Sequence, residues 1–139
     1  MSQCISEFKP AKHTTIMNYL EFAKKMQART MDFAVQIVKF FAKLPKTDEA
    51  RVPGRQLLRA GTSVGANYRA VCRSKSEPDF VSKMGTVVEE ADECGFWLDL
   101  LVNSGVCATA VVQPLKTEAD ELLRIFSTSL STAKENARR

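Results

Sequence analysis

The sequence predicts an all-α fold, an antiparallel up-down-up-down four-helix bundle. Three observations carry this reading. Apolar residues recur at heptad-like spacing in four separate stretches. A mean step of ~3.5 residues keeps such a seam on one side of a helix packed at a shallow angle. Strand-like alternation over comparable lengths is absent. Helix breakers fall between the stretches, and the loops they leave are short, so consecutive helices run antiparallel.

The first helix is predicted over 29–44. Phe33, Ile37, Phe40 and Leu44 form its seam, Ala34 and Phe41 flank it, and Pro45 ends it. The same spacing runs backwards through Met26, Ala23, Tyr19 and Ile16. Residues 1–28 therefore read as an N-terminal extension, either a tail or the start of a lengthened first helix.

The second helix is predicted over 52–74, with Leu57, Gly61, Val64, Tyr68 and Val71 as its seam. Pro53 suits the first turn, where its missing N–H would be unbonded anyway. The run Ala60-Gly61-Thr62-Ser63-Val64-Gly65-Ala66-Asn67 is unusually small. Glycine inside a helix costs ~1 kcal/mol against alanine, and close approach of a neighbouring helix is the compensating gain. A phosphate-loop reading fails on glycine spacing and on the absence of a following G-K-[ST].

The third helix, predicted over 77–104, has the longest seam: Phe80, Met84, Val87, Ala91, Cys94, Leu98 and Leu101. Ser76-Glu77-Pro78-Asp79 reads as an N-cap with an acid three residues on. Gly105 reads as the left-handed residue past its end. The fourth helix, predicted over 113–134, carries Leu115, Ala119, Leu122 and Phe126, with Pro114 in its first turn. The domain thus spans 29–134, and polar residues 135–139 form a frayed C-terminus.

The 139 residues and 15.5 kDa suit one domain. No apolar run approaches the ~20 residues of a membrane span, and the N-terminus lacks an apolar signal-peptide core. The protein reads as cytoplasmic, without a membrane partner. Cys4, Cys72, Cys94 and Cys107 form no C-x-x-C pair, and Cys72 and Cys94 read as small buried apolar groups.

Catalysis finds little support. The single His13 lies outside the bundle, so Ser63, Ser74 and Cys94 have no histidine base. A ferritin-like metal site needs Glu-x-x-His on two helices. No enzyme activity, metal or cofactor is expected.

Charge is the more informative signal. Residues 29–76 carry ten Lys or Arg against three acids, whereas 77–139 carry six against eleven. On a wheel at ~100° per residue, Arg51, Arg55, Arg59, Arg69 and Arg73 share an arc of about 80° opposite the apolar seam. Lys75 lies just past the helix. Like charges at i, i+4 repel, so something compensates. One candidate is nucleic-acid phosphate. The other is the acidic third helix, with Glu89, Glu90, Asp92, Glu93 and Asp99. No aromatic residue interleaves the arginines, so contact here would read backbone charge, not sequence. Asp92 and Asp99 lie beside the apolar seam and are expected to pair with arginines. Trp97 falls away from the seam, which marks either an oligomer interface or an edge of its own bundle. A basic second-helix face meeting the acidic third-helix face of the next copy is a head-to-tail contact, which closes into a ring when the rotation permits.

The run from Gln56 through Leu57-Leu58-Arg59-Ala60-Gly61 to Asn67-Tyr68-Arg69 resembles the 23S rRNA intervening sequence proteins. So do Asp79-Phe80-Val81-Ser82-Lys83-Met84-Gly85, Glu90-Ala91-Asp92-Glu93-Cys94 and Phe96-Trp97-Leu98-Asp99-Leu100-Leu101. The likeness covers about 29–134. Ala70 departs from it, since the family usually places an acid after the arginine matching Arg69. The resemblance implies an up-down bundle assembled as a ring-shaped homopentamer, without enzymatic activity. A similar branch, the accessory proteins of diversity-generating retroelements, binds nucleic acid and a reverse transcriptase through basic surface. The arginines matching Arg55, Arg59, Arg69 and Arg73 carry over as that surface. The expected function is a nucleic-acid-binding ring, RNA or DNA. The alternative is a structural or adaptor oligomer whose arginines form intersubunit salt bridges and which binds a protein partner.

Overall fold

The computed structural model describes the backbone of residues 13–139 and the side chains of 18–139. Four helices account for most of it: α1 His13–Ala42, α2 Asp48–Val71, α3 Glu77–Asn103 and α4 Thr109–Ala137. There is no strand among the described residues. Of the 1–28 extension, the part before His13, including Cys4, lies outside the described residues.

The heptad seams become the core. Ile37 of α1, Leu57 and Val64 of α2, Val87 and Leu98 of α3 and Leu122 and Phe126 of α4 are all buried in one cluster. Ala23 and Met26 join it, so of the two readings of this segment the lengthened first helix holds, and α1 is already helical at His13, the first described residue. Tyr68 is buried with its ring centroid 5.0 Å from that of Phe126.

Helix ends follow local chemistry. Asp79 N–H donates to Ser76 Oγ at 3.1 Å, which makes Ser76 the N-cap of α3. Asp79 Oδ2 accepts the Lys75 N–H at 3.0 Å, and that bond with the Lys83 ammonium holds the Asp79 carboxyl below the usual carboxylate range. Gly105 adopts φ +80°, a conformation that favours glycine, just beyond α3.

The prolines correct two starts. Pro53 and Pro114 lie inside α2 and α4, which begin at Asp48 and Thr109 and not at 52 and 113. A proline removes the hydrogen bond to the carbonyl four residues back. Here that means Glu49 and Ala110, both exposed, where water can serve the freed oxygen. Asp48 and Glu49 meanwhile place negative charge at the positive end of α2. α2 ends at Val71, so Arg73 lies in the turn beyond it.

The small-residue run packs against α1. A Cβ on Gly61 would stand 2.8 Å from Ile37 Cγ1, and one on Gly65 would stand 3.3 Å from the Thr30 carbonyl oxygen. Buried Thr30 keeps its own hydroxyl satisfied by donating to Met26 O at 2.8 Å. Asn67, half-buried in α2, donates to Ser63 O at 2.8 Å. On the far side of α1, Arg29 forks onto Glu118 of α4 at 2.7 and 2.8 Å and reaches Glu121 at 2.7 Å. This pairing, absent from the sequence reading, raises the Arg29 pKa and lowers that of Glu121.

The early turns of α1 and α3 and the late turns of α2 and α4 meet around an apolar cavity of about 320 Å³. Cys72 borders it and is buried. Cys94 is likewise buried, and burial pushes its pKa up to about 12.

Candidate nucleic-acid interface

The basic side chains of α2 share one face because the opposite face is committed to the core and to α1. Their surroundings differ. The Arg51 guanidinium lies over the Phe41 ring, 4.5 Å from the centroid. Stacking of this kind holds the side chain while leaving its charge in place.

Arg59 is committed to its own chain. It forms ion pairs with Glu90, at 3.2 Å, and with Glu93, both on α3. Its Nε donates to Gln56 Oε1 at 3.3 Å. The compensation expected from the acidic third helix is thus realised at one arginine, within one protomer.

Arg55, Arg69 and Arg73 are exposed, and no ion pair or side-chain hydrogen bond engages them among the described residues. Lys75 is exposed beside them, close enough to favour the charged form of Asp79. The stripe therefore divides into two open ends around a neutralised middle. Arg55 and Arg69 are fourteen residues apart, or about 21 Å at ~1.5 Å per residue.

The interface candidates on α3 also separate. Trp97 is half-buried against the core, and its indole N–H donates to Glu93 Oε2 at 3.0 Å. Its neighbour Phe96 is 58% exposed and meets the indole edge-on. Among the described residues, Asp92 and Asp99 form no ion pair with an arginine. Asp99 faces Lys116 of α4 at 3.7 Å, because its side of α3 turns toward α4 and away from α2. Asp92 is exposed without an ion pair among the described residues. Of the five α3 acids named from the sequence, Glu90 and Glu93 are the ones that meet Arg59, a choice that helix packing makes and spacing does not. Among the described residues, no group of His, Cys, Asp and Glu is placed to hold a metal ion.

A four-helix, all-α protein with a basic helix face and no membrane-spanning helix among its described residues is the class defined by this architecture. The chain belongs to the 23S rRNA-intervening sequence protein family, whose profile matches residues 23–128. It is also similar to a solved structure from Bacteroides thetaiotaomicron, described as a protein with unknown function from the S23 ribosomal protein family. The two share 28% identity and superpose with a TM-score of 0.70, over 75% of this chain and 96% of that one. Among curated proteins, none matches this chain.

Proposed function

We propose that this protein is a non-enzymatic, cytoplasmic oligomer that binds the phosphate backbone of RNA or DNA through the basic face of α2. The observation that carries this reading is the state of Arg55, Arg69 and Arg73. Three guanidinium groups stand in solvent on one side of the molecule, and among the described residues no acid pairs with them. Phosphate fills that role and releases counterions in doing so. The absence of aromatic side chains among them favours backbone contact without base selection. The protomer is an antiparallel up-down-up-down bundle, a topology supported by the ends that gather at the cavity. The family resemblance supports its assembly as a ring, with five copies as the expected number.

Fluorescence anisotropy of a short labelled RNA tests this directly. About three phosphate contacts on a single strand give a salt slope near −2, or roughly a 15-fold loss of affinity between ~50 and ~200 mM salt. Arg55→Glu with Arg69→Glu abolishes binding and leaves helical content unchanged. Unaltered affinity in that double variant would sink the proposal.

The second reading, a structural or adaptor oligomer with a protein partner, is favoured by a different observation. Arg59 shows that α2 arginines and α3 acids do pair, and Phe96 stands outward beside them. It predicts that the same double variant loses assembly and that wild type ignores RNA.

A further inference from the structure

α1 carries two apolar stripes, and only one is used by the core. Met31, Val35 and Val38 step by four and three residues and are 54%, 41% and 49% exposed. At ~100° per residue they centre about 150° from buried Met26, Phe33 and Ile37. α3 repeats the pattern. Phe96 and Leu100 are 58% and 37% exposed, and they lie about 160° from the buried seam of Met84, Ala91 and Leu98.

These two faces cannot meet within a protomer. α1 packs against α2 and α4, and α3 packs against the same two helices from the other side. Nor does either face suit itself. Around the α1 stripe stand Lys24, Lys25 and Lys39, with Lys43 in the turn just beyond, against Glu21 and Asp32. α3 holds no basic residue after Lys83, and Glu89 and Asp92 flank Phe96. Each face would repel its own copy and attract the other.

We infer that the outer face of α1 docks on the Phe96–Leu100 face of α3 in a second copy of this chain. The contact is heterologous: each copy offers one donor face and one acceptor face, and the series closes into a ring if the rotation allows. Apolar side chains at heptad spacing supply the seam, and lysines facing carboxylates set the register. This moves the intersubunit contact away from α2, whose Arg59 is already paired within its own chain, and leaves Arg55, Arg69 and Arg73 open. The inference rests on the oligomeric part of the proposed function and names its surfaces.

Sedimentation of the full chain and two variants tests it. Val35→Glu disables the α1 face and Phe96→Glu disables the α3 face. Both positions are exposed in the protomer, so circular dichroism of each variant stays at the wild-type value. Each variant alone sediments as a 15.5 kDa monomer. Mixed in equal amounts, they form a dimer and nothing larger, because the pair retains one intact α3 face and one intact α1 face. A mixture that stays monomeric, or single variants that keep the wild-type mass, would overturn the head-to-tail contact alone. A monomeric wild type at micromolar concentration would overturn it together with the oligomeric reading.

Discussion

Glu93 holds two partners from two helices: the Arg59 guanidinium of α2 and the Trp97 indole N–H of its own α3, the latter at 3.0 Å. Arg59 is therefore the arginine of the α2 face with the least freedom to meet an external anion. Arg59→Gln is expected to lower RNA affinity less than Arg55→Gln or Arg69→Gln does. Its stability cost stays below about 1 kcal/mol, because the pair is solvent-facing. The sole tryptophan reports the change, since its carboxylate partner is released to reorient. Anisotropy and tryptophan emission on the three variants check both statements.

Two glycine substitutions should act in opposite directions. Gly61→Ala places a Cβ against the Ile37 side chain, whose branched carbon is held in the core. Overpacking of this kind costs about 1–3 kcal/mol. Gly85→Ala meets nothing within 4 Å in the interior of α3. It gains about 0.5–1 kcal/mol from reduced chain freedom in the unfolded state. Urea midpoints of the two variants against wild type give the signs.

The Arg29 cluster makes acid stability a local property. Glu121 titrates below its ordinary range because Arg29 bonds and attracts its charged form. A depressed carboxylate contributes stability above its unfolded pKa and loses that contribution as pH falls through the folded value. Arg29→Met is expected to cost about 1 kcal/mol at neutral pH. The gap from wild type narrows toward about pH 3, as Glu121 loses charge. Denaturant titrations at the two pH values test the convergence.

Cys94 behaves oppositely with pH. Its thiol ionises near 9 when exposed and is pushed up to about 12 in the fold, chiefly by burial. That raised value supports the folded state fully below the unfolded pKa. The support is lost as pH climbs toward the folded one. Stability should fall above about pH 9. At pH 8 the Cys94 thiol should resist a thiol reagent in the native state, while half-buried Cys107 reacts before it. Mass spectrometry of partially labelled protein identifies the order.

The core was legible because burial follows period. Ile37, Val64, Val87, Leu98 and Leu122 are all heptad positions read from spacing, and all are buried. The glycine run was legible for a related reason: only a close neighbour makes three glycines in one helix worthwhile, and α1 is that neighbour. The starts of α2 and α4 were misplaced because proline was read as a first-turn residue. Thr47-Asp48-Glu49 offered a better signal, with acids positioned for the helix dipole. The Arg59 partners were not legible. Choosing Glu90 and Glu93 over Asp92 and Asp99 requires the rotation of α3 relative to α2 and α4, which packing sets and spacing leaves open. The Arg29 cluster depends in the same way on how α1 and α4 face each other.

The glycine contact with α1 also acts on the solvent side of the molecule. With Gly61 seated against Ile37, α2 is keyed in place like a shaft in its slot, unable to turn about its own axis without a clash. The direction in which Arg55 and Arg69 project is thus set from behind, by residues that carry no charge. A change at Gly61 would reach the surrounding electrolyte as a swung electric field, even though every arginine remained.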